Sequence, residues 1–228
     1  MTTSEGAARR DGEFPVTTRT TPSRRRDRVR HEVTPVHAVL DEALVCHLGF
    51  VVDGEPVVLP FLHTRLGENL YLHTSSGSRL TRSVPPEGLP VCLTVTLLDG
   101  LVLARSQFHH SLNYRSVVVH GRAHRVEDPE ELVAALTALV EHVVPGRSAA
   151  SRPGSARELA ATAVLRVPLA EASLKARSGP PADDPADADL PYWAGVVPVS
   201  TVLGPPEPAP DLDPAVPLPD HVAGYRSR

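Results

Sequence analysis

The apolar residues of this chain fall into two rhythms. At Val36, Val39, Leu40, Ala43 and Leu44 they recur at helical spacing behind Thr34 and Pro35, a cap and a first-turn proline, which predicts a short amphipathic helix. From Val45 the pattern changes to short β-prone runs punctuated by turn residues. Val45 to Val52, the Asp53-Gly54 turn, Pro56 to Thr64, the Gly67-Glu68-Asn69 turn and Leu70 to Thr74 read as consecutive antiparallel strands. Two longer strands, Pro90 to Leu103 and Tyr114 to Val126, flank a polar segment from Ala104 to Asn113. The helical period then returns: Asp128 caps, Pro129 opens, Glu131 completes a capping box, and Leu132, Ala135, Leu136, Leu139 and Val143 share one stripe. A third helical stretch around Arg157 to Thr162 leads into a closing strand, Ala163 to Val167. A meander, a helix and returning strands predict a small closed antiparallel sheet, because closure removes exposed strand edges.

Both ends lack this patterning. Residues 1–30, with the Arg24-Arg25-Arg26 run, carry few large apolar groups and are expected to form a disordered basic arm. Residues 201–228 are spaced by prolines and are expected to form an extended tail, which leaves residues 31–200 as the folded domain.

Composition narrows the setting. Twenty-three basic against 27 acidic side chains give a formal charge of -4, which argues against a nucleic acid partner. Cys46 and Cys92 sit in separate apolar segments, as buried thiols in a reducing compartment do, so a cytoplasmic location is expected. No apolar run approaches the roughly 20 residues of a membrane helix. The eleven histidines show no paired metal-ligand spacing, so no metal ion is expected. Ser106 and Ser111 lie near His109 without an elbow motif or an orienting carboxylate, which argues against hydrolysis.

The chemistry concentrates at one strand exit. Leu70-Tyr71-Leu72-His73-Thr74 runs into Ser75-Ser76-Gly77-Ser78-Arg79-Leu80, where backbone amides, the hydroxyls of Thr74 and Ser78 and the Arg79 guanidinium could converge on a phosphate. This segment resembles the pyridoxamine 5′-phosphate oxidase-like family, in which a strand, a Thr and then Gly-Ser-Arg-Lys bind the FMN phosphate. The likeness extends to Leu59-Pro60-Phe61-Leu62-His63 and to Tyr114-Arg115-Ser116-Val117-Val118-Val119-His120-Gly121, and it covers residues 34 to 168. It is closest to the branch containing the nitroimidazole-resistance proteins, through Leu72-His73-Thr74, Tyr114 to Gly121 and Val144-Pro145-Gly146. One position departs: the family's second cation is Leu80 here.

The resemblance implies a mainly β fold, an antiparallel FMN-binding split barrel with flanking helices, assembled as a homodimer around FMN. It implies a flavin-dependent oxidoreductase acting on a small molecule, without nucleic acid or membrane partners. His73, Thr74, Ser78 and Arg79 would then line the phosphate side, Pro60, Phe61, Leu62 and His63 would present backbone to the ring, and Arg115 would reach the cofactor. Arg105, His109, His110 and Asn113, at the end of a strand rich in donors and acceptors, are the candidates nearest substrate. No catalytic acid or base is demanded, since the flavin carries the redox chemistry. The alternative keeps the fold and changes the occupant: a protein binding haem b with His73 as axial ligand, or His63 or His109 in its place.

Overall fold

The computed structural model describes residues 12–225. Nine strands make one sheet: β1 (Val29–Arg30), β2 (Val45–Val52), β3 (Glu55–Leu66), β4 (Asn69–Ser75), β5 (Leu89–Leu103), β6 (Ser111–Arg125), β7 (Thr162–Pro168), β8 (Glu171–Arg177) and β9 (Gly195–Pro198). Five helices accompany them: α1 (Val33–Glu42), α2 (Arg79–Arg82), α3 (Pro129–Val143), α4 (Ala156–Ala161) and α5 (Asp220–Ala223). None of the described helices is long and apolar enough to cross a membrane.

The sheet closes on itself. β2 pairs with β3, β3 with β4, β4 with β7, β7 with β6, β6 with β5 and β5 with β2, every pair antiparallel. The split arises on β6. One edge is bonded to β5 along almost its whole length, while the other serves β8 from Tyr114 to His120 and then β7 at His124 and Arg125. Gly121 sits at this changeover, where a Cβ would stand 3.2 Å from Val167 Cγ1 and 3.3 Å from the Pro168 carbonyl, so the close approach of the strands calls for glycine.

β2 has the alternation expected of a half-buried strand, with Cys46, Leu48, Phe50 and Val52 inward. Leu70, Leu72, Leu93, Val95, Val117, Val119, Leu165 and Val167 join that interior, and Val36, Val39 and Leu40 of α1 pack into the same cluster. Leu93 is fully buried there. Leu93→Ala is expected to cost roughly 2–5 kcal/mol of stability, because the rigid wall of strands relaxes little around the cavity; a denaturant titration measures this.

Several elements differ from the sequence reading. α1 begins at Val33 behind Glu32, without a side-chain cap, one residue before Thr34. Asp128 does cap α3, accepting from the Glu130 amide, but the Glu131 carboxylate turns to the sheet and accepts from Tyr71 Oη at 2.8 Å and Arg166 Nη1 at 3.0 Å. A buried-edge phenol and a guanidinium are stronger partners than a solvated cap amide.

Of the arm expected over residues 1–30, residues 1–11 lie outside the described residues, and residues 12–30 lie against the barrel. Phe14 is buried in the core cluster, Thr20 is buried, and Arg19 donates to Glu171 at 2.6 and 3.0 Å. One aromatic anchor and one bidentate ion pair suffice to hold a segment whose average composition is polar. At the other end the proline-spaced tail leaves the sheet after Val199 donates to the Asp99 carbonyl. It returns through α5, where His221 packs within 3.3 Å of the Cβ position of Gly146, while Tyr225 reaches a depression beside Glu42 to Val45.

Candidate functional site

His73 stands on β4 opposite Val164 of β7, exposed on the barrel's outer face. α3 crosses in front of it. Near its start the helix is fastened by Tyr71 and Arg166 through Glu131, and at its end by His142 Nε2, 2.9 Å from the Ala43 carbonyl. Held at both ends, α3 leaves a depression of about 350 Å³ between itself and the barrel. Leu62, Leu136, Leu139, Val140, Val143 and Val144 wall it, and His73 and Arg147 supply its polar groups. Among the described residues neither the His73 imidazole nor the Arg147 guanidinium has a side-chain hydrogen bond or ion pair. A wider depression of about 510 Å³ adjoins it across Leu136 and Val140.

The other nearby histidines are engaged. His63 is fully buried, with Nε2 3.0 Å from the Leu40 carbonyl, and its ring lies 5.7 Å from that of His142. Burial lowers its pKa to about 4, the neighbouring His142 adds to the fall, and the Leu40 carbonyl opposes it. His63 is therefore a neutral core residue whose Nε2 is engaged, and its Nδ1 is buried without a hydrogen-bond partner among the described residues.

The strand exit after β4 is a tight turn whose amides are largely spent internally. Ser76 donates to the Ala161 carbonyl, Gly77 to Ser75 Oγ at 3.2 Å and Ser78 to the Ser75 carbonyl. Ser78 caps the single turn of α2, accepting from the Thr81 amide at 3.1 Å, and Thr74 is half-buried beside it. The group left facing solvent is Arg79, 60% exposed and paired with an even more exposed Asp53 at 2.8 Å. Such a pair is readily exchanged for another anion.

β3 offers a different surface. Its residues 55–62 pair with β2 on one side only, since β4 begins pairing at His63. Pro60 and Leu59 are exposed on that open edge, Phe61 and Leu62 are half-buried, and Leu62 also walls the depression at His73.

Arg115 does not project into an open site. Its guanidinium is gripped by Glu42 and by Asp99, the latter at 2.8 and 3.1 Å, and these partners hold its pKa above the ordinary arginine range. Asp99 occupies the bulge between Leu98 and Gly100, so the irregularity in β5 supplies the carboxylate.

The four residues placed nearest substrate are each held in local contacts. None lines the three depressions described, which lie at His73, beside α4 and at Glu42. Arg105 donates to Asp183 through its backbone amide and guanidinium, both at 2.9 Å. Asn113 is buried, donating to the Gly179 carbonyl at 3.1 Å and accepting from Arg177. His109 Nδ1 lies 2.8 Å from Ser106 Oγ, and His110 Nδ1 2.9 Å from the Ser106 carbonyl. Together they brace the crossing that follows β8.

Sequence reasoning singled out His73 and did not mark Arg147 or the apolar wall opposite. A signal was present: α3 is apolar beyond its core stripe, and Val133 and Val140 remain exposed while Ala135 and Leu139 are buried.

A closed antiparallel ring split at one shared strand, with an exposed imidazole on its outer face under a crossing helix, defines a split-barrel fold. The family model described as pyridoxamine 5′-phosphate oxidase matches residues 32–176, and the chain belongs to that family. It is similar to the flavocytochrome Anf3 of Azotobacter vinelandii: 40% identity, 92% of this chain and 97% of that one covered, TM-score 0.87. It is also similar to the FAD and heme binding protein of Mycobacterium smegmatis, at 36% identity over 88% of this chain and 98% of that one, with a TM-score of 0.83. A candidate 5-nitroimidazole antibiotic resistance protein from Bacteroides thetaiotaomicron, 23% identical over 64% of this chain and 85% of its own, shares the fold with a TM-score of 0.53. No curated protein matches the sequence.

Proposed function

We propose that the chain is a flavin-dependent oxidoreductase that carries a b-type haem as a second cofactor, with His73 as the iron ligand. The observation that carries this reading is an unpartnered imidazole on a rigid strand, facing an apolar wall, with one arginine free beside it. Haem requires that combination: a nitrogen donor for iron, apolar side chains for the macrocycle and a cation for a propionate. Leu136, Leu139, Val140 and Val143 would cover the ring, and Arg147 would meet the carboxylate. The two similar structures, a flavocytochrome and a FAD and heme binding protein, support the pairing of cofactors.

The flavin would lie along the open edge of β3, meeting backbone groups around Pro60 to His63. Arg79 would exchange Asp53 for the flavin's phosphate. β3 then stands between the two cofactors, its backbone edge on one side and the Leu62 side chain on the other. When bound, the flavin supplies two-electron chemistry toward a small molecule and the haem one-electron chemistry. A second copy of the chain would cover the exposed Val58 and Leu59 along the same edge.

The absorption spectrum of protein purified with haem precursor tests the assignment, with the released flavin identified by mass. A Soret band with flavin bands is expected, and a chain that retains neither cofactor after reconstitution overturns the proposal. Arg79→Ala is expected to lower flavin retention without altering the melting curve, because the exposed Asp53 pair contributes little to folding. Unchanged flavin affinity in that variant refutes the phosphate assignment.

A further inference from the structure

Two surface turns meet on the far side of the crossing that follows β8. We propose that His109, Asp184 and Asp187 form a binding site for a divalent transition-metal ion of the zinc type, separate from the flavin and haem residues. The three ligand atoms already lie within 4.8 Å of one another, and this is the one such group of three among the described residues.

Each donor is placed by local structure. His109 ends the 3-10 turn Gln107–His109, and its Nδ1 is fixed 2.8 Å from Ser106 Oγ. With Nδ1–H donating to that hydroxyl, the lone pair of Nε2 points outward, which is the tautomer a metal needs. Nε2 stands 4.0 Å from Asp184 Oδ2, too far for a hydrogen bond. Asp184 precedes the 3-10 turn Pro185–Asp187, which closes when the Asp187 amide donates to the Asp184 carbonyl at 2.9 Å. Side chains three apart on such a turn eclipse, so both carboxylates rise on the side facing His109.

Charge points the same way. The neighbouring Asp183 is neutralised by Arg105, whereas Asp184 and Asp187 have no Lys or Arg partner among the described residues. The Arg105–Asp183 clasp already ties the two turns together, so the donors are held close before any ion arrives. Ligand atoms around one zinc-sized ion stand about 3.4 Å apart, so the exposed Asp184 and the half-buried Asp187 need to draw in by at most about 1.4 Å. The imidazole favours zinc, cobalt or nickel over calcium and magnesium, and two carboxylates balance a double positive charge.

Calorimetric titration of zinc chloride into the tag-free full chain tests this, with the cofactors retained and loose metal removed by chelator and desalting. One saturable site of micromolar strength is expected. His109→Ala and Asp187→Asn should each weaken it at least tenfold, while His110→Ala, whose ring is directed to the Ser106 carbonyl, should leave it intact. Unchanged visible spectra in all three variants would show that they fold. The proposal is overturned if no saturable binding occurs below about 1 mM, or if binding survives both substitutions.

Discussion

Replacing His73 with alanine is expected to abolish the Soret band of the purified protein and leave the flavin bands in place. The imidazole is the one unpartnered nitrogen donor facing the apolar depression under α3, so its removal leaves iron without a protein ligand. The fold should tolerate the change, because His73 is exposed and makes no side-chain hydrogen bond among the described residues. Imidazole added to the variant together with haem should restore the band. A variant that keeps its full Soret intensity would remove the haem assignment while leaving the flavin assignment standing.

The second large effect concerns acid. The buried His63 has its pKa lowered to about 4 in the folded chain, against about 6.5 when unfolded. Between those values the unfolded chain binds more protons, so this contribution to stability is intact above about pH 6.5 and declines as the pH falls toward 4. The full loss is on the order of 3 kcal/mol. His120, whose pKa is also lowered by burial, acts in the same direction. Comparing unfolding free energies from pH 4 to 7 in the wild-type chain and in His63→Gln isolates the first term. Glutamine can still donate to the Leu40 carbonyl but does not titrate, so the variant should show a shallower decline. Parallel curves would rule out His63 as the source.

Much of the barrel was legible because its signals are local. The Val45–Val52 alternation, the Asp53-Gly54 turn and the Asp128-Pro129 helix start each act within a few residues, and each element formed there. β8 was not legible: Glu171–Arg177 has no β-branched residue and is a strand because β6 offers it an edge. Phe14 was likewise hidden in a polar stretch, since one anchor does not move an average. Of the two thiols expected to be buried, Cys46 is buried and Cys92 is half-buried. Both are free, and burial pushes Cys46 up to about 12, which makes it a poor nucleophile.

The site was legible in part for the same reason. His73 and Arg79 belong to a contiguous segment whose order carries the family likeness. What surrounds them depends on distant chain. Arg115 is answered by Glu42, 73 residues away, and Arg105 by Asp183, 78 residues away. No spacing rule foretells such pairs. The amides after Ser75 were expected to be available, yet those of Ser76, Gly77 and Ser78 close their own turn.

The changeover at Gly121 gives the molecule a mechanical character. A single strand is stitched to two different neighbours above and below one residue, so the upper and lower halves of the seam share a pivot. A Cβ at that point would press on Val167 and the Pro168 carbonyl, which would have to give by a few tenths of an ångström, and β7 would pass that strain to β4, the strand on which His73 rides.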